Sequence, residues 1–375
     1  MDTETVRGSY RAFTEAFPGV LVHYAMKCNS DPLVLSTLVA CGSGFELASL
    51  GELRLLTSLG LALDPDRLIH GSAVKPADHI RAMAQYGVRR FACDSTTELR
   101  RIATNAPGSS VYMRCAVDDS SSVFHMSNKF GAPLDEIVDL ATQADRLGLC
   151  FEGLSFNVGS QASTEDSWFR AIQSLAGLFK RLASAGLPVR LLNLGGGYPV
   201  NSVDDSRPLL SAIAAAVRRG LDSLPYIPDD LIAEPGRALA ARSTTLRTTV
   251  IARVPHGDVM WLFLDAGAYN ALFEALRFQG STRYRIEPEV PSTGPRARFH
   301  LAGPTGDGLD IIGEGVELPA GVAEGDRLIV RDAGAYTHAV ASPFNGFPLP
   351  PILPARRGAG TEIQPALSEA VSYAL

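Results

Sequence analysis

Lys27 is the residue of this chain whose position best suits covalent chemistry. It stands at the end of a short apolar run, in Val-His-Tyr-Ala-Met-Lys-Cys-Asn (22–29). The run predicts a buried strand, which would place Lys27 at the mouth of a parallel barrel. An amine held there can form a Schiff base with a carbonyl group. Lysines at strand ends more often serve structure, so Lys27 alone does not decide the function.

Polar residues and glycines lie at the ends of other apolar runs. In a closed barrel of parallel strands, the residues after the carboxyl ends of the strands face the active site. We therefore expect these residues to converge near Lys27. They are Glu46 in the second run with Glu52 behind it, Arg114 in the fifth, Asn157 and Ser160 after the sixth, Gly195, Gly196 and Gly197 after the seventh, and Glu234, Gly236 and Arg237 after the eighth.

Three consecutive glycines, 195–197, follow Leu-Leu-Asn-Leu and indicate an anion site. Glycine lets backbone N–H groups approach a phosphate closely at a turn between a strand and a helix. A dinucleotide fingerprint would need a further glycine where the chain has Val200, so that interpretation fails. A glycine turn without any ligand remains the alternative.

Glu234 and Arg237 have two interpretations. They could form a surface ion pair, the commoner arrangement. At the mouth of a barrel, however, a carboxylate facing a pyridine nitrogen favours the pyridinium form, which makes pyridoxal phosphate an electron sink. Arg237 can then pair with the phosphate.

The elements that must position these residues are eight short apolar runs separated by amphipathic stretches. This alternation predicts a (β/α)8 barrel over residues 1–242, and an open doubly wound sheet is the competing prediction. After Arg237 the pattern changes to extended segments rich in glycine and proline, which predicts an antiparallel β domain over 243–375. Residues 356–375 carry few packing signals. The predicted strands are 21–26, 44–48, 68–71, 90–93, 111–117, 152–158, 191–194 and 231–233.

Composition excludes several classes of protein. The net charge of −6 argues against a nucleic-acid partner, and no apolar run approaches the roughly 18 residues of a membrane span. Met-Asp-Thr-Glu does not resemble a signal peptide. Five cysteines without a Cys-x-x-Cys pattern suit a reducing cytoplasm, and the histidines have no metal-binding spacing. We therefore expect a cytoplasmic protein without a metal site.

Six motifs together resemble one family. They are Tyr-Ala-Met-Lys-Cys-Asn, Phe-Asn-Val-Gly-Ser-Gln, Gly-Gly-Gly-Tyr-Pro, Ala-Glu-Pro-Gly-Arg, Gly-Pro-Thr-Gly-Asp-Gly-Leu-Asp and Gly-Ala-Tyr-Thr with Phe-Asn-Gly-Phe. Their order and spacing from about residue 8 to 350 are similar to those of the pyridoxal-phosphate-dependent ornithine/diaminopimelate/arginine decarboxylases of alanine-racemase fold. The ornithine decarboxylase branch is the most similar.

The resemblance implies a role for each matching residue. Lys27 would form the Schiff base with pyridoxal 5′-phosphate, and Glu234 would hold the pyridine nitrogen. The other implied cofactor contacts are Glu46 and Arg114 near the ring and the lysine, and Ser160, Gly195, Gly196, Gly197, Gly236, Arg237 and Tyr336 around the phosphate.

The resemblance also implies a head-to-tail homodimer with shared active sites. Gly306 and Asp307 would reach the site of the other subunit, where Asp307 would bind the amino-acid substrate. Lys129 matches an interface lysine of the family, and Asp310 is its expected partner across the dimer.

Four positions depart from the family pattern. Asn157 replaces a histidine that stacks on the cofactor. Gly306 replaces a cysteine that governs protonation after CO2 leaves. The second acid for the distal amine of the substrate falls at Ala266, with Asp265 adjacent. The family's usual first strand, before the segment matching 8–17, has no counterpart in this sequence, so either the strand is absent or the start codon is misassigned.

The expected activity is therefore decarboxylation of an ornithine-like, lysine-like or related amino acid to an amine. Gly306 leaves open an altered outcome, such as decarboxylation linked to transamination. A catalytically silent regulator of family members is a third possibility, from a different class of protein.

Overall fold

The computed structural model describes residues 1–61, 63–200, 208–278 and 284–355. Residue 207, at the start of a helix that the sequence predicts over 207–221, lies outside these residues. The whole segment 356–375 also lies outside them. The chain forms two compact units, Arg7–Ala241 and a second that joins Met1–Val6 to Arg242–Leu375. The first residues, assigned from sequence to the barrel domain, thus group with the second unit.

The first unit is a closed barrel of eight parallel strands, which confirms the predicted fold class. Its strands follow one another around the barrel in the order β1, β10, β9, β7, β5, β4, β3, β2. Each predicted apolar run corresponds to one of them. The strands are β1 Val20–Ala25, β2 Gly44–Leu47, β3 Leu68–His70, β4 Arg90–Cys93, β5 Ser110–Arg114, β7 Cys150–Ser155, β9 Leu191–Asn193 and β10 Asp230–Ala233.

Helices connect the strands, and several begin at side chains that cap them. The side chain of Ser49 accepts a hydrogen bond from Glu52 N, and that of Ser95 accepts one from Glu98 N. The helices are α1 Thr3–Ala16, α2 Pro32–Ala40, α3 Leu50–Ser58, α4 Ala77–Tyr86, α5 Thr96–Asn105, α6 Ile137–Arg146, α7 Asp166–Ser184, α8 Leu210–Asp222 and α9 Arg237–Ala240. Between them, β6 Ser122–Phe124 pairs antiparallel with β8 Ser160–Ala162.

The inside of the barrel is filled by a cluster of buried residues. Its members are Ile69, Ala92, Tyr112, Leu191 and Ile232. Strand side chains alternate between faces, so the residues two positions further along share the inner face. Arg114, Asn193 and Glu234 therefore form the next level, towards the carboxyl ends of the strands.

Gly153 allows β7 and β9 to approach closely. A Cβ atom at this position would lie 1.8 Å from the carbonyl oxygen of Leu191. Because no side chain could be accommodated there, glycine is required for the two backbones to meet.

The second unit is a six-stranded sheet in the order β13, β16, β11, β12, β14, β15. Its pairs are antiparallel except β12 with β14, so the sheet is mixed rather than purely antiparallel. Val250, Leu262, Phe299 and Leu328 are among its buried core residues. Its elements are β11 Leu246–His256, β12 Val259–Leu264, α10 Ala275–Phe278, β13 Ile286–Pro288, β14 Arg296–Ala302, β15 Ile311–Pro319 and β16 Arg327–Val330.

Candidate active site

Lys27 lies in a short turn, Met26–Cys28, directly after β1. Its Nζ forms an ion pair with Glu46 Oε2 on β2, the neighbouring strand. The Lys27 side chain is 41% exposed, whereas that of Glu46 is 3% exposed. The barrel therefore fixes a carboxylate beneath an amine that remains accessible to a ligand.

Glu234 follows β10, the strand that pairs with β1 on the side away from β2. Asn193 Nδ2 donates a hydrogen bond of 2.6 Å to Glu234 Oε1. Burial of the carboxyl group, followed by the nearby charge of Glu46, raises the pKa of Glu234 to about 7, while Lys27 and Asn193 oppose this shift. A cationic group placed against Glu234 would restore its ionised form.

The glycine turn between β9 and α8 is held by the same asparagine. Asn193 Oδ1 accepts a hydrogen bond of 2.9 Å from Gly195 N. Gly195 and Gly197 have positive φ angles of 66° and 95°. A Cβ atom would lie 2.1 Å from Phe156 O at Gly195, and 2.2 Å from Gly159 O at Gly197. These positions require glycine, and the turn exposes backbone rather than side chains to a ligand.

The segment after β7 packs against this turn. Asn157 Oδ1 accepts a hydrogen bond of 2.9 Å from Gly159 N, so its side-chain carbonyl is engaged locally. Ser160 follows at the start of β8. Gln161, which has a positive φ of 58°, accepts a hydrogen bond of 2.8 Å from Val200 N. Gln161 thus joins the Ser160 segment to the chain that leaves the glycine turn.

Two arginines complete the barrel mouth. The Arg114 guanidinium carbon lies 4.9 Å from the centre of the Phe130 ring. Arg237 is the first residue of α9 and is buried. A Cβ atom on Gly236 would lie 2.8 Å from Cys28 Cβ, so this glycine lets the start of α9 pack beside the turn that carries Lys27.

Glu52 adds a third carboxyl group near Lys27. Its Oε2 accepts a hydrogen bond of 2.6 Å from Ala48 N, which ties it to the start of α3. Burial, followed by the charge of Glu46, raises the pKa of Glu52 to about 7. The barrel mouth therefore carries more acid than Lys27 neutralises.

In the second unit, Asp307 lies on a tight loop after β14. Its Oδ1 accepts a hydrogen bond of 2.8 Å from Leu309 N, and the Tyr269 hydroxyl also donates to this carboxylate. At Gly306, a Cβ atom would meet no atom within 4 Å. A side chain at position 306 would therefore point into open space.

Asp310 clamps the same loop. It is buried, and its carboxylate accepts hydrogen bonds of 2.7 Å from both Ala268 N and Thr305 Oγ1. The expected pairing of Asp310 with a partner's Lys129 stays a prediction. Lys129 itself is exposed, with Nζ 4.9 Å from the centre of the Phe130 ring.

Two further predicted residues lie in the second unit. Asp265 Oδ1 accepts hydrogen bonds of 2.5 Å from Thr248 Oγ1 and 2.8 Å from Thr249 N. These bonds tie β11 to the end of β12, and the role of Asp265 as a substrate ligand stays a prediction. Tyr336 is half-buried and has a positive φ of 51°, a conformation uncommon for a bulky residue.

No cluster of three metal-ligating side chains occurs among the residues that the structure describes. Within the same described ranges, no helix combines the length and apolar character that a membrane crossing needs.

Residues 3–241 match the family described as pyridoxal-dependent decarboxylase, pyridoxal binding domain. The chain belongs to this family. It is 33% identical over 351 residues to the lysine/ornithine decarboxylase of Selenomonas ruminantium, covering 93% of this chain and 87% of that protein. It is also 34% identical over 358 residues to antizyme inhibitor 2 of Xenopus laevis, covering 91% of this chain and 76% of that protein.

A solved structure of the Selenomonas ruminantium lysine decarboxylase, in complex with pyridoxal phosphate and cadaverine, has the same fold. Its TM-score is 0.84 and its identity 32%, covering 94% of this chain and 88% of that one. These similarities confirm the ornithine branch of the family and the cofactor expected from sequence. The chain is a pyridoxal-phosphate-dependent amino-acid decarboxylase.

The barrel residues of this decarboxylase fit the cofactor. Lys27 offers an accessible amine, and the enclosed carboxyl group of Glu234 lacks enough positive charge to keep its usual pKa. The turn of Gly195–Gly197 carries no side chains and precedes a helix, the arrangement in which backbone N–H groups bind phosphate. Asn193, which organises both Glu234 and the turn, was not singled out from the sequence because it reads as one more residue of the run Leu-Leu-Asn-Leu.

Proposed function

We propose that this decarboxylase converts an ornithine-like or lysine-like amino acid to the corresponding diamine and CO2. The observation that carries the proposal is the half-exposed Lys27 amine, held by Glu46 in the same barrel mouth as the Glu234–Asn193 pair. The similarity to a lysine/ornithine decarboxylase over nearly the whole chain supports the substrate class.

Pyridoxal phosphate, when bound, supplies a carbonyl for the substrate amine and a ring that accepts the electron pair left by departing CO2. Lys27 would contribute the amine that holds the cofactor. Glu46 orients Lys27 Nζ and would accept a proton from it when the amine acts as a nucleophile.

Glu234 would hold a proton at the pyridine nitrogen, and Asn193 fixes the direction of its carboxylate. The turn Gly195–Gly197 and the buried Arg237 would bind the phosphate, with Ser160 as a further contact. Arg114 lies at the same level of the barrel as Glu234. Its positive charge opposes the rise in the pKa of Glu234.

Asp307 is the residue that we assign to the distal amine of the substrate. Its carboxylate is half-buried and held by Leu309 N and the Tyr269 hydroxyl. A carboxylate held in one direction selects for a cationic end group, which ornithine and lysine both carry.

We further propose that the active form is a homodimer in which Asp307 serves the partner's site. Leu309 is 68% exposed and Phe344 is 39% exposed. Phe344 packs on Tyr269, with ring centres 4.6 Å apart, and Tyr269 binds Asp307. Exposed apolar side chains around Asp307, a carboxylate proposed to bind substrate, are typical of a surface that a second subunit covers.

The test of substrate class is CO2 release and amine formation across a panel of amino acids with cationic, neutral and acidic side chains. We expect ornithine or lysine to be turned over fastest. Asp307→Asn should raise KM for the basic substrates more than for a neutral one, because it removes the charge that binds the distal amine. Equal loss for basic and neutral substrates would contradict this role of Asp307.

Subunit mixing tests the shared site. Lys27→Ala and Asp307→Ala homodimers should each be inactive. Random exchange between them makes half of the dimers heterodimers with one intact site each, which restores about a quarter of wild-type activity. Absence of recovery after exchange, verified by mass spectrometry of the mixed dimers, would place both residues in one subunit's site.

The absence of a side chain at Gly306 favours a second possible outcome of the reaction, a carbonyl product in place of the amine. With no side chain at this position, a thiol cannot deliver the proton to the substrate carbon after CO2 leaves. Protonation at the cofactor carbon instead would yield a carbonyl product and pyridoxamine phosphate. We expect a measurable carbonyl fraction in wild type that falls in Gly306→Cys. Clean diamine production by both proteins would show that position 306 does not control the outcome.

The third possibility, a silent regulator, follows from the similarity to an antizyme inhibitor. The Lys27–Glu46 pair and the Glu234–Asn193 pair argue for an active site instead. Purified protein that neither absorbs as a pyridoxal-phosphate enzyme nor releases CO2 from any amino acid of the panel would favour the regulator.

A further inference from the structure

Tyr112 lies inside the barrel, on β5, in a layer that is otherwise apolar. Its neighbours in register are Ala92 on β4 and Gly153 on β7. These two small residues make room for a phenol ring where larger side chains would collide. The remaining members of the layer, Ile69, Leu191 and Ile232, offer no polar atom in their side chains.

The Tyr112 hydroxyl is enclosed without a protein partner. Among the described residues, no donor or acceptor lies within hydrogen-bond distance of its oxygen, and the residue is 1% exposed. A buried hydroxyl left unsatisfied costs about 1–3 kcal/mol, so barrels normally fill such a layer with aliphatic side chains. A tyrosine here therefore calls for a reason that packing does not supply.

The next level of the barrel, nearer the carboxyl ends of the strands, contains the charged groups that explain the hydroxyl of Tyr112. Arg114, two residues further along β5, shares the inner face with Asn193 and Glu234. The charged and titratable groups that act on Tyr112 are Glu234 and Glu46, then Arg114 on its own strand and Cys93 on β4. The hydroxyl thus lies under the acidic part of the barrel mouth.

We propose that the Tyr112 hydroxyl donates a hydrogen bond, through one interior water, to the carboxylate of Glu234 and favours its ionised form. The charges of Glu46 and Arg114 also act on the Tyr112 hydroxyl, and two to four polar partners are what a buried water needs. Tyr112 is a positioning residue, since it acts through Glu234. The effect of Tyr112 on catalysis rests on the proposed function of Glu234. Its effect on the ionisation of Glu234 does not need the cofactor and can be measured in the cofactor-free protein.

The groups that face Glu234 explain why another donor matters. Glu46 on β2 repels its charge, whereas Lys27 after β1, Arg114 on β5 and Asn193 on β9 favour it. The balance leaves the pKa of Glu234 raised to about 7. Burial and these carboxylates raise the pKa of Tyr112 well above its usual value, so the hydroxyl keeps its proton and remains a donor throughout this range.

The test is thermal unfolding of the cofactor-free protein against pH, in wild type and Tyr112→Phe. Phenylalanine keeps the ring and removes only the hydroxyl. If Tyr112 favours ionised Glu234, the acid dissociation constant of Glu234 falls about tenfold in Tyr112→Phe, a shift of one pKa unit. The variant should then lose more stability relative to wild type at about pH 8.5 than at about pH 5.5, where Glu234 is protonated in both proteins.

A double-mutant cycle identifies the partner. In a Glu234→Gln background, Tyr112→Phe should have the same effect at both pH values, because the titrating group has been removed. A pH-dependent effect that persists there but disappears in Glu46→Gln would overturn the assignment to Glu234. An effect of Tyr112→Phe that does not change with pH in the wild-type background would reduce Tyr112 to a packing role.

A matched control is Tyr226→Phe. Tyr226 accepts a hydrogen bond of 2.8 Å from Val189 N, and its removal takes a tyrosine hydroxyl from the same barrel unit. It does not act on Glu234. Its effect on unfolding should be independent of pH between the same two values, and a pH-dependent effect of equal size would refute the specific role of Tyr112.

Discussion

The barrel contains two lysine–glutamate ion pairs among its described residues, and they differ in what surrounds the lysine. Lys75 and Glu98 are 0% and 1% exposed, and Lys75 Nζ also donates to Ser72 O at 2.7 Å and Ala92 O at 2.5 Å. The buried amine is therefore held by two carbonyl oxygens and by the Glu98 carboxylate, 3.0 Å away. Lys27 is 41% exposed and pairs with Glu46 at the barrel mouth.

The difference separates a structural lysine from a reactive one. Burial lowers the pKa of Lys75, and Glu98 opposes that shift. Lys75 ties the segment after β3 to β4 and to the first turn of α5, and no ligand can reach its amine. Lys27 pairs with Glu46 and keeps 41% of its side chain exposed. Reactivity here follows from access to the amine, since both lysines are held by a glutamate.

We expect the largest effect from a substitution that breaks the Lys27–Glu46 pair. Lys27→Ala should lower decarboxylation on the order of 1,000-fold or more, because the amine that holds the cofactor is lost. The chain has four lysines, Lys27, Lys75, Lys129 and Lys180, so borohydride reduction followed by peptide mass mapping can distinguish them. We expect pyridoxal phosphate on Lys27 alone.

Lys27→Arg is the matched control for charge. It keeps a cation beside Glu46 but cannot form the covalent link, so we expect it to fold like wild type and to remain inactive. Labelling of Lys75 in wild type would contradict the comparison directly, because that amine is predicted to be inaccessible.

We expect the next largest effect from a substitution that breaks the Lys75–Glu98 pair. Lys75→Met should lower the free energy of unfolding by about 3–5 kcal/mol, because it leaves the carboxylate of Glu98 buried without its lysine. Chemical denaturation measures this loss. The double variant Lys75→Met with Glu98→Gln should recover part of the stability, and folded protein of either variant should still label at Lys27. A stable Lys75→Met protein that fails to label would assign Lys75 to the active site.

The smallest effect concerns Glu52, a carboxyl held by backbone rather than by a lysine. Its pKa in the folded protein, about 7, lies above its usual value of 4.5. The folded state therefore binds this proton more tightly than the unfolded state, so stability is fully present at low pH and is lost as the pH rises from about 4.5 to about 7.

Glu52→Gln should remove this dependence while keeping an acceptor for Ala48 N. We expect the variant to gain up to about 2 kcal/mol over wild type at about pH 8, and nothing at about pH 4. The measurement is the unfolding free energy at the two pH values. A gain of equal size at both would mean that Glu52 is not protonated in the folded protein near neutral pH.

The positions of the eight barrel strands could be predicted because each is a short apolar run that ends in polar or glycine residues. The antiparallel pair of β6 and β8 could not. Each strand has only three residues, which mix polar and apolar types, and the pair depends on Gly159, where a Cβ atom would lie 1.9 Å from Ser122 Oγ. That contact joins residues distant in sequence, so no local pattern reports it.

The candidate site shows the same limit. Lys27, Glu46 and Glu234 could be placed together because the carboxyl ends of parallel strands meet at one edge. The elevated pKa of Glu234 could not be foreseen, since it depends on how deeply the carboxyl group is enclosed and on its distance from Glu46. Asp265 was considered because it adjoins Ala266, and its hydrogen bonds to Thr248 and Thr249 exist only once β11 and β12 pair.

Gly153 sets a limit on how this sequence can vary. A Cβ atom at this position would meet Leu191 O at 1.8 Å, whereas one at Gly177 on α7 would meet nothing within 4 Å. A saturation library should therefore tolerate many residues at 177 and select against all of them at 153. Because β9 carries Asn193 at its end, parting β7 from β9 would also move the asparagine that organises Glu234 and the glycine turn. Protein engineers who seek new substrates should hold position 153 fixed while they diversify the loops.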